Sequence, residues 1–204
     1  MIRGERALLA LGTACLLGAA GVLLVQHGSP AAGPPPAPTQ WGYVGPAAAP
    51  AIAGADPVRI SIPAIRVDRP LLELGLTSAG ALATPPMTRA DTPGWYRDSA
   101  APGNRGPAVI VGHVDSRTGP AVFWNLSTLK PGQLVVVDRN DHLHAQFRIT
   151  RVQAFPKAAF PSRAVYGSLG YAGLRLITCG GPYDAARGGY QDNTIVFARL
   201  VRLG

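Results

Sequence analysis

Between residues 56 and 204, short runs of Val, Ile, Leu and Phe are punctuated by clusters of Gly, Pro, Asn and Asp, a rhythm that predicts β-strands rather than helices. The strands are expected at residues 58–62, 65–70, 108–113, 134–138, 143–153, 174–178 and 194–201. The pair flanking Asp138-Arg139-Asn140-Asp141 predicts a hairpin whose Asn and Asp take the unusual backbone angles of the turn. One short helix is expected at residues 121–129, where Val122, Trp124, Asn125, Leu126 and Leu129 can share a face before Lys130-Pro131-Gly132 stops it. No internal repeat is visible, and the pattern gives an all-β barrel or sandwich.

The N-terminal part follows another pattern. Arg3 and Arg6 precede an uncharged apolar stretch at residues 7–25, and no Lys, Arg, Asp or Glu follows until Asp56. That stretch approaches the roughly 20 residues a helix needs to cross a bilayer and exceeds the roughly 7–15 of a cleaved signal core. Residues 1–27 are therefore expected to form a cytoplasmic tip and an uncleaved signal anchor, with the remainder of the chain outside the cell membrane. Residues 28–55 are dominated by Pro, Ala and Gly, with Pro34-Pro35-Pro36 at their centre, and read as an extended extracellular stalk. Residues 56–204 are the domain that can fold.

The chain carries 19 Lys and Arg against 11 Asp and Glu, a net charge of +8 that suits anionic surroundings such as phospholipid or wall polymer. The basic residues are scattered and not interleaved with aromatics, so nucleic acid is not expected as a partner. Of the two cysteines, Cys15 lies inside the apolar stretch and reads as a small residue of a membrane helix. The exported domain then holds one thiol, Cys179, and no internal disulfide is available to it. Cys179 is either a small buried hydrophobe or a reactive nucleophile.

Its setting favours chemistry. Cys179 ends the run Leu174-Arg175-Leu176-Ile177-Thr178 and is followed by Gly180-Gly181-Pro182, while His113 ends the run Ala108-Val109-Ile110-Val111-Gly112. Both side chains are placed where strands stop and loops begin. A thiol with a pKa near 8.5 needs adjacent positive charge to ionise at neutral pH, and an imidazole supplies that charge and a transferable proton. Backbone N–H groups of the Cys179-Gly180-Gly181 turn are plausible donors to an oxyanion. Asp115 either orients His113 or fills a turn. His142 and His144 alternate on one face beside the hairpin, but with no third ligand nearby in sequence they read as a solvated strand edge, and no metal is expected.

Leu176-Ile177-Thr178-Cys179 resembles the segment that ends in the nucleophile of the sortases, and Val111-Gly112-His113-Val114-Asp115-Ser116 resembles their histidine motif. The likeness extends to Ile60-Ser61-Ile62-Pro63-Ala64-Ile65, Pro93-Gly94-Trp95-Tyr96 and Asp192-Asn193-Thr194-Ile195-Val196, in the family's order. Cys179-Gly180-Gly181-Pro182 together with Tyr190-Gln191-Asp192-Asn193 is most similar to the class F branch of high-GC Gram-positive bacteria.

The resemblance implies a closed eight-stranded β-barrel with short helices, acting as a cysteine transpeptidase without metal or organic cofactor. Such enzymes cut a C-terminal Leu-Pro-x-Thr-Gly-like sorting signal of secreted proteins, hold the fragment as a thioester, and pass it to an amine of the cell-wall precursor or a pilin. Cys179 becomes the nucleophile and His113 the acid and base. Two positions depart from the family. Arg175 stands where a Thr is usual and reads as structural or as part of the substrate rim. Asn193 stands where an arginine is usual, so the transition-state or substrate contact is left between Arg187 and Asn193, with Arg199 behind both. The rival reading is a non-catalytic, membrane-anchored β-domain that binds the cell wall.

Overall fold

Alternation along the strands sorts the apolar side chains onto the two faces of one sheet, and the functional residues follow that sorting. The computed structural model describes residues 56–204. The signal anchor and stalk expected before Asp56 lie outside the described residues, among which no helix is long and apolar enough to cross a membrane.

The strands are β1 (Pro57–Ile62), β2 (Val67–Pro70), β3 (Leu72–Leu74), β4 (Gly94–Tyr96), β5 (Gly106–Val111), β6 (Asp115–Ser116), β7 (Gly119–Pro120), β8 (Leu134–Arg139), β9 (His144–Pro156), β10 (Ala172–Asp184) and β11 (Gly189–Leu203). Nine form one sheet in the order β2-β1-β8-β9-β11-β10-β5-β4-β3, and β6 pairs with β7 in a small hairpin. The architecture is all-β, as expected, and the barrel is nearly closed rather than closed. Nine strands stand where the resemblance gives eight, because one extended segment changes partner at its middle. Leu71 N–H donates to Val58 on the β1 side at 3.0 Å, and Leu72 N–H donates to Pro93 beside β4 at 3.0 Å. Successive amides of an extended chain point to opposite sides, so this segment joins the two edges of the sheet.

Inside the barrel lie Ile60, Ile62, Ile110, Val135, Val137, Phe147, Leu174, Leu176 and Val196, all fully buried. Their strand neighbours Val109, Val111, Ile177, Ile195 and Phe197 face outward, where Leu74, Leu82, Tyr96, Val165 and Tyr166 cover them in a second apolar cluster. Each large side chain so buried stabilises the fold by about 1.5–3 kcal/mol. Both faces of β5, and of β10 from Gly173 to Cys179, are therefore dry, which explains their apolar runs.

Several local expectations are corrected. Residues 121–129 do not form an α-helix: a 3-10 turn spans Leu126–Thr128, and Phe123, Leu126 and Leu129 are buried at a spacing of three while Trp124 is 47% exposed. That spacing matches the three residues per turn of a 3-10 segment. The strand expected from residue 65 starts at Val67, after a 3-10 turn at Pro63–Ile65 and a left-handed Arg66 with φ 55°. In the β8–β9 hairpin the left-handed residue is His142, with φ 64°, rather than Asn or Asp. Buried Arg139 braces that turn, donating to Asp141 through Nε and Nη2 and to the Pro102 carbonyl through Nη1. The α-helix α1 (Ser162–Tyr166) and the strands β3, β4, β6 and β7 were not anticipated by the pattern.

Candidate active site

β5 and β10 run parallel, and their register places Ile110 beside Leu176 and Val111 beside Ile177. The pairing continues one step further: Gly112 N–H donates to the Ile177 carbonyl at 3.1 Å, and the Thr178 hydroxyl donates to the Gly112 carbonyl at 2.8 Å. His113 and Cys179 are the next residues on each chain. Because alternate side chains share a face, Cys179 follows Ile177 to the outer side of the barrel, while His113 lies two residues past Val111, just beyond the end of β5. Each is 8% exposed.

The row extends across the sheet. In the antiparallel β10–β11 ladder Cys179 faces Asn193, and in the β9–β11 ladder Asn193 faces Phe155. Opposed residues of such a ladder lie side by side on one face. Asn193 is 1% exposed, and neither Oδ1 nor Nδ2 has a hydrogen-bond partner. The Tyr166 hydroxyl, in the outer apolar cluster, is similarly buried without a partner, and burial pushes its pKa up.

His113 Nε2 donates to the Pro85 carbonyl at 2.7 Å. A carbonyl oxygen only accepts, so Nε2 carries the proton and Nδ1 is the basic nitrogen of the neutral ring. Phe123 N–H donates to the His113 carbonyl at 2.9 Å, and a side chain at Gly112 would collide with Phe123 and Val122. The histidine loop is thus pinned from both sides. Asp115 is engaged elsewhere: it accepts the Tyr190 hydroxyl at 2.6 Å through Oδ2. Tyr190 is pushed up to about 12, first by that hydrogen bond, then by burial and by the negative charge of Asp115.

The thiol is not at a strand end. β10 continues to Asp184 after a bulge between Gly180 and Tyr183, where Gly181 adopts φ 72° and Asp192 occupies the space a β-carbon would need. The bulge carries the chain past Gly-Gly-Pro without ending the pairing.

A family model described as Sortase domain matches residues 60–201. The chain belongs to the sortase family.

Solved structures with the same fold include sortase C-1 from Actinomyces oris (24% identity, TM-score 0.55, covering 72% of this chain and 76% of that one). Sortase A from Corynebacterium diphtheriae shares 20% identity at a TM-score of 0.57 and covers 73% of this chain and 62% of its own. A Clostridium perfringens sortase D5 transpeptidase shares 21% identity at a TM-score of 0.54, covering 72% and 79% respectively. A search of curated proteins by sequence returns no match.

In this sortase the arginines fall away from the thiol row or into structural contacts. Arg187 ends the short turn Ala185–Arg187, is exposed, and stands with Nε 3.5 Å from Asp184, whose side chain also accepts the Ala186 and Arg187 amides. Arg199 lies six positions further along β11 than Asn193, about 20 Å away at strand spacing, with its guanidinium over Tyr171. Arg175 is 3% exposed and donates to the Ala164 carbonyl of α1 at 3.0 Å and to the Leu174 carbonyl, with its charge over Phe197. Burial pushes its pKa down. Arg175 therefore fastens the loop that carries α1 over the outer face. His144 turns to Asp138 at 2.7 Å, and among the described residues no three His, Cys, Asp or Glu gather to hold a metal.

Pro85 and the Tyr190–Asp115 contact are the features the sequence did not reveal. Pro85 acts through its backbone carbonyl, which leaves no pattern in side-chain type. Open grooves of about 300 and 230 Å³ flank the β6–β7 hairpin and share Asp91, Pro120 and Ala121, but neither is lined by Cys179 or Asn193.

Proposed function

We propose that this sortase is a cysteine transpeptidase that cleaves a Leu-Pro-x-Thr-Gly-like C-terminal sorting signal and transfers the protein to a cell-wall or pilin amine. The observation that carries the reading is the parallel β5–β10 register, which pairs Val111 with Ile177 and is continued by the Gly112–Ile177 and Thr178–Gly112 hydrogen bonds, and it supports His113 and Cys179 as neighbours. Cys179 gives its proton to His113 and attacks the Thr carbonyl carbon through Sγ. The tetrahedral oxyanion collapses, the Thr–Gly C–N bond breaks, and the departing Gly amine takes the proton from His113. An incoming amine then attacks the thioester, yields a proton to His113 and returns the electron pair of the C–S bond to the thiolate. The steps balance without a cofactor.

Asn193, not Arg187, is assigned the acyl side of this reaction. Its amide belongs to the residue paired with Cys179 across the ladder, and burying it without a partner costs about 1–3 kcal/mol. A peptide would repay that cost, because Nδ2 donates to a carbonyl or oxyanion and Oδ1 accepts an N–H. The Gly-Gly-Pro and Tyr-Gln-Asp-Asn segments support a class F sortase. The apolar stretch at residues 7–25 supports a single-pass membrane protein with its N-terminus cytoplasmic and its domain outside.

Incubating the full chain with Leu-Pro-x-Thr-Gly peptides varied at x, and weighing the intact protein, tests the reaction. A thioester adduct on Cys179 that disappears in Cys179→Ala is expected. A native chain with no adduct, or an adduct that survives Cys179→Ala, overturns the assignment.

A further inference from the structure

Asp115, Tyr190 and Tyr183 form a second polar cluster beside the thiol, and the acyl half of the reaction does not use it. Asp115 lies two residues beyond His113, and Tyr190 lies three residues before Asn193, so their 2.6 Å hydrogen bond bridges the two chain segments that carry the chemistry. The Tyr190 ring meets Tyr183 edge to face, with centroids 5.2 Å apart and planes at 81°. Tyr183 is 67% exposed. An edge-to-face pair holds Tyr183 against a tyrosine that is itself tied to a carboxylate, so the three groups form a preorganised rim whose outer member is exposed.

The combination selects a ligand chemistry. Tyr190 engages one oxygen of Asp115, and a carboxylate has lone pairs for about four donors. The exposed ring of Tyr183, one tyrosine removed from that carboxylate, offers a cation its quadrupole as well. The chain as a whole carries +8, which repels a cationic substrate, so holding one needs a local negative group. Arg187, in the turn of the same hairpin, is engaged by Asp184 rather than by Asp115.

We propose that Asp115, Tyr190 and Tyr183 form the subsite for the primary ammonium of the accepting amine, which rests on the thioester reading above. The ammonium docks against Asp115 with its carbon chain over the tyrosines and loses one proton to solvent. The free amine then attacks the thioester carbonyl, its second proton passes to His113, the C–N bond forms, the C–S bond breaks, and Cys179 leaves as thiolate. Asp115 and Tyr190 thereby hold the nucleophile, while Cys179 and Asn193 hold the acyl group.

Capture of the acyl group by two amines separates the possibilities. Glycinamide is largely cationic at neutral pH, and hydroxylamine is uncharged there. With a Leu-Pro-x-Thr-Gly peptide as acyl donor and the full chain as enzyme, Asp115→Asn should raise the KM for glycinamide about tenfold. Whatever it costs hydroxylamine capture or Cys179 acylation should be several-fold smaller than its effect on glycinamide capture. Tyr183→Ala, on an exposed side chain, should raise the glycinamide KM about threefold with the melting temperature unchanged, and it decides the matter if Asp115→Asn does not fold. An unchanged glycinamide KM in both variants, or an equal loss with both amines, overturns the subsite and leaves the thioester reading intact. A native chain that forms no Cys179 adduct removes both.

Discussion

Asn193 is the cross-strand neighbour of Cys179, and both polar atoms of its amide are buried without a hydrogen-bond partner. A neutral amide thus stands beside the thiol where the family usually has a charged guanidinium. Asn193→Ala should lower kcat/KM for the sorting-signal peptide by about 10²–10³, the usual cost of losing one oxyanion donor. Alkylation of Cys179 by iodoacetamide should change little, because that reagent needs no amide contact. Asn193→Asp should instead slow alkylation at neutral pH, since a carboxylate beside the sulfur raises the thiol pKa. Equal peptide turnover in native and Asn193→Ala protein would exclude Asn193 from the reaction.

The Pro85 carbonyl holds His113 in one tautomer, with Nδ1 as the nitrogen that accepts a proton. His113→Ala should reduce transpeptidation by about 10²–10⁴, the range for a general acid–base group. Pro85→Gly keeps the carbonyl but loosens the backbone around it, so the imidazole is less well placed. A fall in kcat of about tenfold with a smaller change in peptide KM is expected from steady-state rates. A change confined to KM would place Pro85 in substrate binding.

How far the site was legible depended on whether side chains or backbone carry it. The apolar runs ending at His113 and Cys179 announced two strands, and the structure has both, buried on both faces along those runs. Their parallel register is a tertiary choice that neither run encodes. Strands β3 and β4, three residues each, are too short to show an alternation. Residues 121–129 showed apolar positions at a spacing that fits two kinds of helix, and packing of Phe123, Leu126 and Leu129 selected the tighter one. Asp115 was open to two readings and took neither: it bonds Tyr190, 75 residues away.

Arg175 shows a local rule yielding to packing. A cation inside a strand buried on both faces is tolerated because the Ala164 and Leu174 carbonyls and the Phe197 ring receive it. Arg175→Ala leaves those carbonyls without their donor, and a loss of about 2–3 kcal/mol is expected, or about 4–12 °C in melting temperature at this size. Arg175→Lys should recover only part, since an ammonium cannot reproduce the guanidinium fork. Thermal unfolding of the three proteins checks this. A melting temperature within 1 °C of native for Arg175→Ala, roughly a quarter of a kcal/mol, would show that the loop over the outer face does not depend on it.

Tyr190 gives the fold a dependence on alkaline pH. Its hydroxyl is neutral when it donates to Asp115, and its pKa rises from the ordinary value near 10 to about 12 in the folded protein. Between these values the unfolded chain releases the phenolic proton while the folded chain keeps it. Stability from this group is therefore fully present below about pH 10 and is lost as pH rises toward 12. Other tyrosines with raised pKa, Tyr96 and Tyr166, act in the same direction, so the native curve alone is not diagnostic. The difference between native protein and Tyr190→Phe isolates the contribution. Urea midpoints should be furthest apart below pH 10 and should converge as the pH rises from 10 to 12. In an Asp115→Asn background the same pair should converge at lower pH, because the principal cause of the shift has been removed. A native-to-Phe gap that stays constant across that window would mean that the Tyr190–Asp115 hydrogen bond is not kept in solution.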